Sequence, residues 1–193
     1  MGQRFPDPIW NRVLLGLVAV RPTKDLHLSE TETLSPLLSN EVEQATRRLL
    51  EKACERGLTL ATAESCTGGM LASLLTDVQG SAHAFERGFV TYSNEAKNEM
   101  LGVAMELIDT HGAVSREVAL AMAEGALARS RANIALSITG YADVGEEPGL
   151  VHFGCARGGR KTAHREEHFG PIGRGGTRVE CMRVAVEMIT EML

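Results

Sequence analysis

The sequence lacks features that several classes of binding protein require. Its 193 residues carry 25 acidic and 20 basic side chains, so the formal net charge of -5 provides no general attraction for nucleic acid or an anionic membrane. Its four cysteines include no CxxC pair, and its six histidines include no HExxH motif, although three of them fall in one segment: His152, His164 and His168. We therefore expect a reduced, cytoplasmic protein without a disulfide framework and without a metal site.

The chain also lacks an apolar run long enough to span a membrane. Residues 9–20 are too short and are interrupted by Asn11 and Arg12. No small-residue cleavage site follows them, so we do not expect a signal peptide. Residues 1–38 hold four of the six prolines and a polar tract. The sequence therefore predicts an N-terminal extension over 1–38, partly ordered at most, and one domain over 39–193.

The rest of the sequence is typical of an α/β domain. Hydrophobic residues make up 44% of the chain, enough for one sizeable core. Helical apolar periodicity alternates with short β-rich runs, and Asn40, Ser93 and Ser115 are predicted to cap helices. The strand-like runs are 58–62, 88–92, 134–138, 150–156 and 162–169, of which the last two form a predicted hairpin. This order predicts a three-layer α/β/α sandwich with a mixed, mostly parallel sheet.

The most informative segment is the polar run 64–69, which lies between the first strand and the helix after it. A helix start has unpaired N–H groups and partial positive charge, so this run predicts a site for an oxyanion, phosphate or carboxylate. The same residues also fit an ordinary Ser/Thr helix cap with a packing glycine, which is the commoner use.

Three loops follow predicted parallel strands and are expected to meet at one edge of the sheet: 64–69, 93–97 and 139–149. Ser65 matches neither the GxSxG nor the P-loop pattern, so a base must come from elsewhere in the fold. Lys97 is a candidate base if burial lowers its pKa, and otherwise a solvated surface charge. Cys66 is an alternative nucleophile or a small buried residue.

Three motifs resemble the CinA C-terminal domain family: TAESCTGG at 62–69, FERGFVTYSNEAK at 85–97 and HGAVS at 111–115. The resemblance extends over about residues 41–193. The family contains nicotinamide-nucleotide amidases, which hydrolyse the carboxamide of nicotinamide mononucleotide to nicotinate mononucleotide and ammonia. The resemblance therefore implies a metal-independent amidohydrolase with a small nucleotide substrate, no cofactor and a homo-oligomeric state.

The resemblance also implies roles for individual residues. Ser65 matches the nucleophile, Lys97 the general base and Tyr92 a tyrosine near that pair. Arg174 and Arg178 fall where family arginines meet the substrate phosphate. The residues predicted to bind substrate are Glu64, Cys66, Thr67, Gly68, Thr139, Gly140, Arg174 and Arg178.

One loop departs from the family pattern. Relatives usually continue after Thr/Ser-Gly with Ile-Ala-Gly-Pro, whereas residues 141–148 read YADVGEEP. Asp143, Glu146 and Glu147 add negative charge that would disfavour a phosphorylated ligand if they lie near the pocket. The alternative to an amidase is therefore a non-catalytic nucleotide- or anion-binding module of the same fold.

Overall fold

The computed structural model describes residues 38–78 and 83–193, so the predicted extension over 1–38 lies outside the described residues apart from Leu38. In chain order the helices are α1 (Asn40–Glu55), α2 (Met70–Thr76), α3 (Asn94–Leu101), α4 (Met105–His111), α5 (Arg116–Ala128) and α6 (Gly173–Met192). The strands are β1 (Leu60–Glu64), β2 (Phe85–Val90), β3 (Ile134–Gly140), β4 (Leu150–Arg157) and β5 (Ala163–His168).

The five strands form one mixed sheet in the order β2-β1-β3-β4-β5. β1 pairs in parallel with β2 and β3, whereas β4 is antiparallel to β3 and β5. At the end of β1, Glu64 lies level with Val90 of β2 and Ile138 of β3. The carboxyl ends of the three parallel strands therefore meet at one edge of the sheet, where the loops after them can build a common site.

Helices cover both faces of the sheet and complete the three predicted layers. One core cluster joins α1, α2 and α6 to the sheet through alternate residues of β3, namely Ile134, Leu136 and Ile138. The other joins α3, α4 and α5 to Ala61, Ala63 and Ala135. Because successive side chains of a strand point to opposite faces, this division follows the two-residue period. The predicted α/β/α sandwich is confirmed.

The local sequence was sufficient to predict two of the three helix caps. The Ser93 hydroxyl accepts a hydrogen bond from the Ala96 N–H at 3.1 Å, and that of Ser115 accepts one from the Val118 N–H at 3.3 Å, as predicted. At α1 the cap is Ser39 and not Asn40, since the Ser39 hydroxyl accepts from the Val42 N–H at 3.4 Å. α4 was not predicted, and it begins without a side-chain cap. No helix in the described part of the chain is long and apolar enough to cross a membrane.

Candidate active site

The parallel pairing continues one residue beyond the strands and places Ser65 beside Thr91. The Ser65 N–H donates to the Ile138 carbonyl at 3.0 Å, and the Thr91 N–H donates to the Glu64 carbonyl at 2.8 Å. These bonds extend the ladders of β1 with β3 and with β2. The chain after β1 therefore has a defined position relative to the start of α3.

Ser65 and Lys97 lie in direct contact. The Lys97 Nζ is 3.2 Å from the Ser65 Oγ and also 3.2 Å from the Thr91 carbonyl oxygen, to which it donates. Both side chains are buried, Lys97 at 1% and Ser65 at 8% exposure. The two residues that sequence reasoning paired are thus within reach of a proton transfer.

The surroundings of Lys97 favour its uncharged form. Burial lowers the pKa of Lys97, and a nearby thiolate at Cys66 opposes this only in part. Among the described residues, no carboxylate forms a salt bridge with Lys97. A buried amine without a carboxylate partner is suited to accept a proton.

Glu64 has a different position from the one expected. Its carboxylate is fully buried and caps α2 from the end of β1. It accepts hydrogen bonds from the Thr67 hydroxyl at 2.7 Å and from the N–H groups of Gly69 at 3.1 Å, Leu71 at 3.0 Å and Ala72 at 2.8 Å. The expectation that these N–H groups bind an external anion is therefore wrong, because the chain's own carboxylate occupies them.

The turn after Ser65 is held by backbone contacts and by α6. The Gly68 N–H donates to the Ser65 carbonyl at 3.1 Å, so it is not free for a ligand. Arg178 donates from Nε to the Cys66 carbonyl at 2.8 Å. Gly68 has a φ of 64°, and a Cβ there would lie 3.4 Å from the Arg178 guanidinium. Gly68 and Arg178 thus shape the turn.

A cavity of about 250 Å³ opens over the Ser65–Lys97 contact. It is lined by Ser65, Cys66, Tyr92, Lys97, Ala113, Val114, Thr139, Gly140, Tyr141, Ala142, Val144 and Arg174. Of the residues predicted to form the site, Glu64, Thr67, Gly68 and Arg178 do not line it. They support the turn that carries Ser65.

The other predicted residues occupy distinct parts of this cavity. Tyr92 is 68% exposed, and among the described residues its hydroxyl makes no hydrogen bond to Ser65 or Lys97. The buried Thr139 hydroxyl donates to the Ala113 carbonyl at 2.8 Å. Arg174 is exposed in the first turn of α6 and is the basic residue besides Lys97 in the lining.

Cys66 is directed toward the core. It is 5% exposed and belongs to the cluster that includes α6. A hydrogen bond from Cys181 lowers the pKa of the Cys66 thiol and raises that of Cys181, while burial acts against ionisation of Cys66. None of the histidines in the described part of the chain lines the cavity. The hydroxyl of Ser65, not the thiol of Cys66, is the group hydrogen-bonded to Lys97.

The divergent loop presents its apolar residues to the cavity, through Tyr141, Ala142 and Val144. The Glu147 carboxylate lies 2.6 Å from the His168 Nδ1 on β5. Asp143 and Glu146 are exposed and do not line the cavity. The loop therefore contributes apolar side chains to the cavity lining, and its acidic side chains lie outside that lining.

Sequence reasoning missed several residues of the site. The Thr91 carbonyl is a backbone group, so a motif of side chains does not identify it as the partner of Lys97, although Thr91 lies within the motif 85–97. Ala113 and Val114 belong to HGAVS, so this motif was a usable signal.

A larger groove of about 550 Å³ lies between α1 and α6. Its lining mixes apolar residues with charges of both signs, including Arg48, Lys52, Arg183 and Glu187. The described residues that line it include no nucleophile in contact with a base, so the smaller cavity is the candidate active site.

Comparison with known proteins identifies the family. The family model of the CinA C-terminal domain matches residues 42–193. The chain belongs to this family.

Related CinA-family proteins differ in length. A nicotinamide-nucleotide amidohydrolase PncC of Escherichia coli is 46% identical over 150 residues, which cover 75% of this chain and 83% of that protein. A putative competence-damage inducible protein of Symbiobacterium thermophilum is 52% identical over 141 residues, covering 70% of this chain and 30% of that protein. The chain thus spans about a third or less of the length of some curated relatives.

Solved structures of CinA-family proteins share the fold. The crystal structure of the competence/damage inducible protein CihA from Agrobacterium tumefaciens superposes with a TM-score of 0.78 at 44% identity, covering 80% of this chain and 97% of that one. One from Escherichia coli, described as a CinA superfamily protein, gives 0.75 at 32% identity, covering 81% and 94%.

The cap at Glu64 can be tested by stability measurements. Glu64→Ala should lower the free energy of unfolding by about 3 kcal/mol, because it leaves the Leu71 N–H buried without its partner. Chemical denaturation followed by circular dichroism measures this loss. The control Glu51→Ala, on the exposed face of α1, should change stability by no more than about 0.5 kcal/mol. Equal stability of the two variants would contradict the capping role.

Proposed function

We propose that the protein hydrolyses the carboxamide of a nicotinamide nucleotide, with Ser65 as nucleophile and Lys97 as general base. The observation that carries the proposal is the 3.2 Å contact between the Lys97 Nζ and the Ser65 Oγ, both buried beneath an open cavity. The likeness to a relative named for nicotinamide-nucleotide amidohydrolysis supports the substrate class.

The proposed reaction begins with neutral Lys97. Its amine takes the Ser65 hydroxyl proton as the oxygen attacks the carboxamide carbon, forming a tetrahedral intermediate. The resulting ammonium returns that proton to the amide nitrogen, and ammonia leaves from an acyl-enzyme. Lys97 then takes a proton from the water that attacks the ester, and returns it to Ser65 as nicotinate mononucleotide leaves. No step of this sequence requires a metal ion.

The negative charge on the tetrahedral intermediate needs a donor close to Ser65. The Gly68 N–H is engaged with the Ser65 carbonyl, which excludes it from this role. The N–H groups of Cys66 and Thr67 donate to no other described residue and lie in the turn that Arg178 and Glu64 hold in place. We assign the oxyanion contact to these two groups.

The phosphate contact is assigned to Arg174. This guanidinium is exposed at the cavity, whereas Arg178 is engaged with the Cys66 carbonyl. A guanidinium is suited to bidentate contact with phosphate. Arg178 is therefore proposed to position the turn.

The second candidate function is a non-catalytic nucleotide-binding module. It rests on the departure of residues 141–148 from the family pattern, which places Tyr141 and Val144 at the cavity. Such a module would bind nicotinamide mononucleotide and release no ammonia. An amidase releases ammonia with each turnover, so an assay of ammonia release separates the two functions.

The nucleophile is tested by ammonia release from nicotinamide mononucleotide. Ser65→Ala should lower kcat by roughly four to six orders of magnitude, because the attacking oxygen is removed. Cys66→Ala is the matched control and should retain most activity, since its thiol faces Cys181. Activity lost in Cys66→Ala and kept in Ser65→Ala would overturn the mechanism.

The base is tested by the pH dependence of kcat/KM. Only neutral Lys97 can take the Ser65 proton, so the rate should rise with pH through the Lys97 pKa and then level off. Because burial lowers that pKa, the rise should lie below the value of about 10.4 for a free lysine. Lys97→Arg should be inactive throughout this pH range, so its rate should show no rise. A rate that falls as the pH increases through this range would exclude Lys97 as the base.

The phosphate contact is tested with two substrates. Arg174→Ala should raise KM for nicotinamide mononucleotide roughly tenfold, and leave kcat/KM for the riboside without phosphate nearly unchanged. Arg183→Ala, on α6 but outside this cavity, is the control and should change neither. An equal loss for both substrates in Arg174→Ala would refute a phosphate contact.

A further inference from the structure

We propose that His152, His164 and Glu166 form a binding site for one divalent transition-metal ion, with Zn²⁺ as the best fit. The three side chains project from the neighbouring strands β4 and β5, and one candidate ligand atom from each lies within 4.8 Å of the other two. None of them lines the cavity over Ser65. The site is therefore separate from the proposed amidase chemistry.

The distances fit tetrahedral coordination. The His152 Nδ1 is 3.1 Å from the His164 Nε2 and 3.5 Å from the Glu166 Oε2. For metal–ligand bonds of about 2.0 to 2.1 Å, the edge of a coordination tetrahedron is about 3.3 to 3.4 Å. The two observed separations lie on either side of this value. The third separation, between the ligand atoms of His164 and Glu166, is within 4.8 Å, and side-chain rotation that shortens it to the tetrahedral edge would place all three atoms on one ion.

The donor set matches zinc and similar ions. Two imidazole nitrogens and one carboxylate oxygen suit Zn²⁺, Co²⁺ or Ni²⁺ better than the harder Mg²⁺ or Ca²⁺, which prefer oxygen ligands. A water molecule would supply the fourth ligand.

Neighbouring side chains hold Glu166 in the required orientation. Its Oε1 lies 2.9 Å from the His168 Nε2, and the His168 Nδ1 lies 2.6 Å from the Glu147 Oε1. Thus one oxygen of Glu166 is held by His168 while the other points to His152. Partners that orient a ligating carboxylate in this way typically increase metal affinity by 10- to 100-fold.

Charges on α5 also act on this site. Glu117 acts on both histidines, and Arg116 acts on His164. His168 on β5 also acts on His152, with the same sign as Arg116. The site therefore has charges of both signs around it.

Metal binding there would also reach the loop of the candidate active site. Glu147 belongs to the divergent loop 141–148 and contacts the site through His168. His152 lies opposite Thr139, which lines the cavity. An ion would therefore crosslink β4 to β5 and stabilise the loop at the cavity.

The test uses the untagged full chain, stripped with chelator and then freed of it. Titration with Zn²⁺ in a calorimeter should show one ion per chain, and Tm should rise with Zn²⁺ concentration. Co²⁺ should give the intense visible absorption of tetrahedral coordination. Ammonia release, measured before and after stripping, is a separate readout, and the decision on metal binding is taken from the titration alone.

Variants assign the ligands. His164→Gln and Glu166→Gln should each weaken Zn²⁺ binding roughly tenfold or more, and His168→Gln should weaken it less. His83→Gln is the control and should bind Zn²⁺ as the parent does, because His83 is exposed and is not one of the three proposed ligands. Circular dichroism of the stripped variants checks that each is folded. Absence of saturable binding in the parent, or unchanged binding in a folded His164→Gln/Glu166→Gln double variant, would overturn the proposal.

Discussion

The buried carboxylate of Glu64 is the interaction on which the candidate site depends. It ends the inner strand β1 and accepts hydrogen bonds from three N–H groups at the start of α2 and from the Thr67 hydroxyl. A buried carboxylate without such donors would cost several kcal/mol, so strand and helix are held to one relative position. Ser65 lies in the short turn between them. The proposed nucleophile is therefore positioned by a residue that does not line the cavity.

The second constraint is the burial of Lys97. Removing a charged amine from water is unfavourable, and among the residues of 38–78 and 83–193 only the Ser65 hydroxyl and the Thr91 carbonyl accept hydrogen bonds from Lys97. Burial of Lys97 therefore lowers the stability of the fold, and it places an amine beside the Ser65 hydroxyl. Such local costs are common at functional sites, where the group needed for chemistry is not the one that would pack best.

Much of this arrangement was accessible from sequence. The alternation of helical and strand-like runs predicted the three layers, and the placing of Ser65 and Lys97 after consecutive parallel strands predicted their proximity. Ser93 and Ser115 were recognised as caps because the Ncap bond is made within four residues. The short helix α4 was missed because its start lacks such a side chain.

What the sequence determined by itself was local: the periodicity of the elements, two of their caps, and the residue types at the edge where three strands end. Where a side chain has several possible partners, the tertiary structure decided which of them it contacts. A carboxylate after a strand can bind substrate or cap the next helix, and only the distance from β1 to α2 assigns Glu64 to the cap. Likewise, His152 and His164 are 12 residues apart, and only the hairpin register brings their nitrogens together. The physical reason is that hydrogen bonds and metal bonds require approach within about 2 to 3 Å, a precision that chain spacing does not contain.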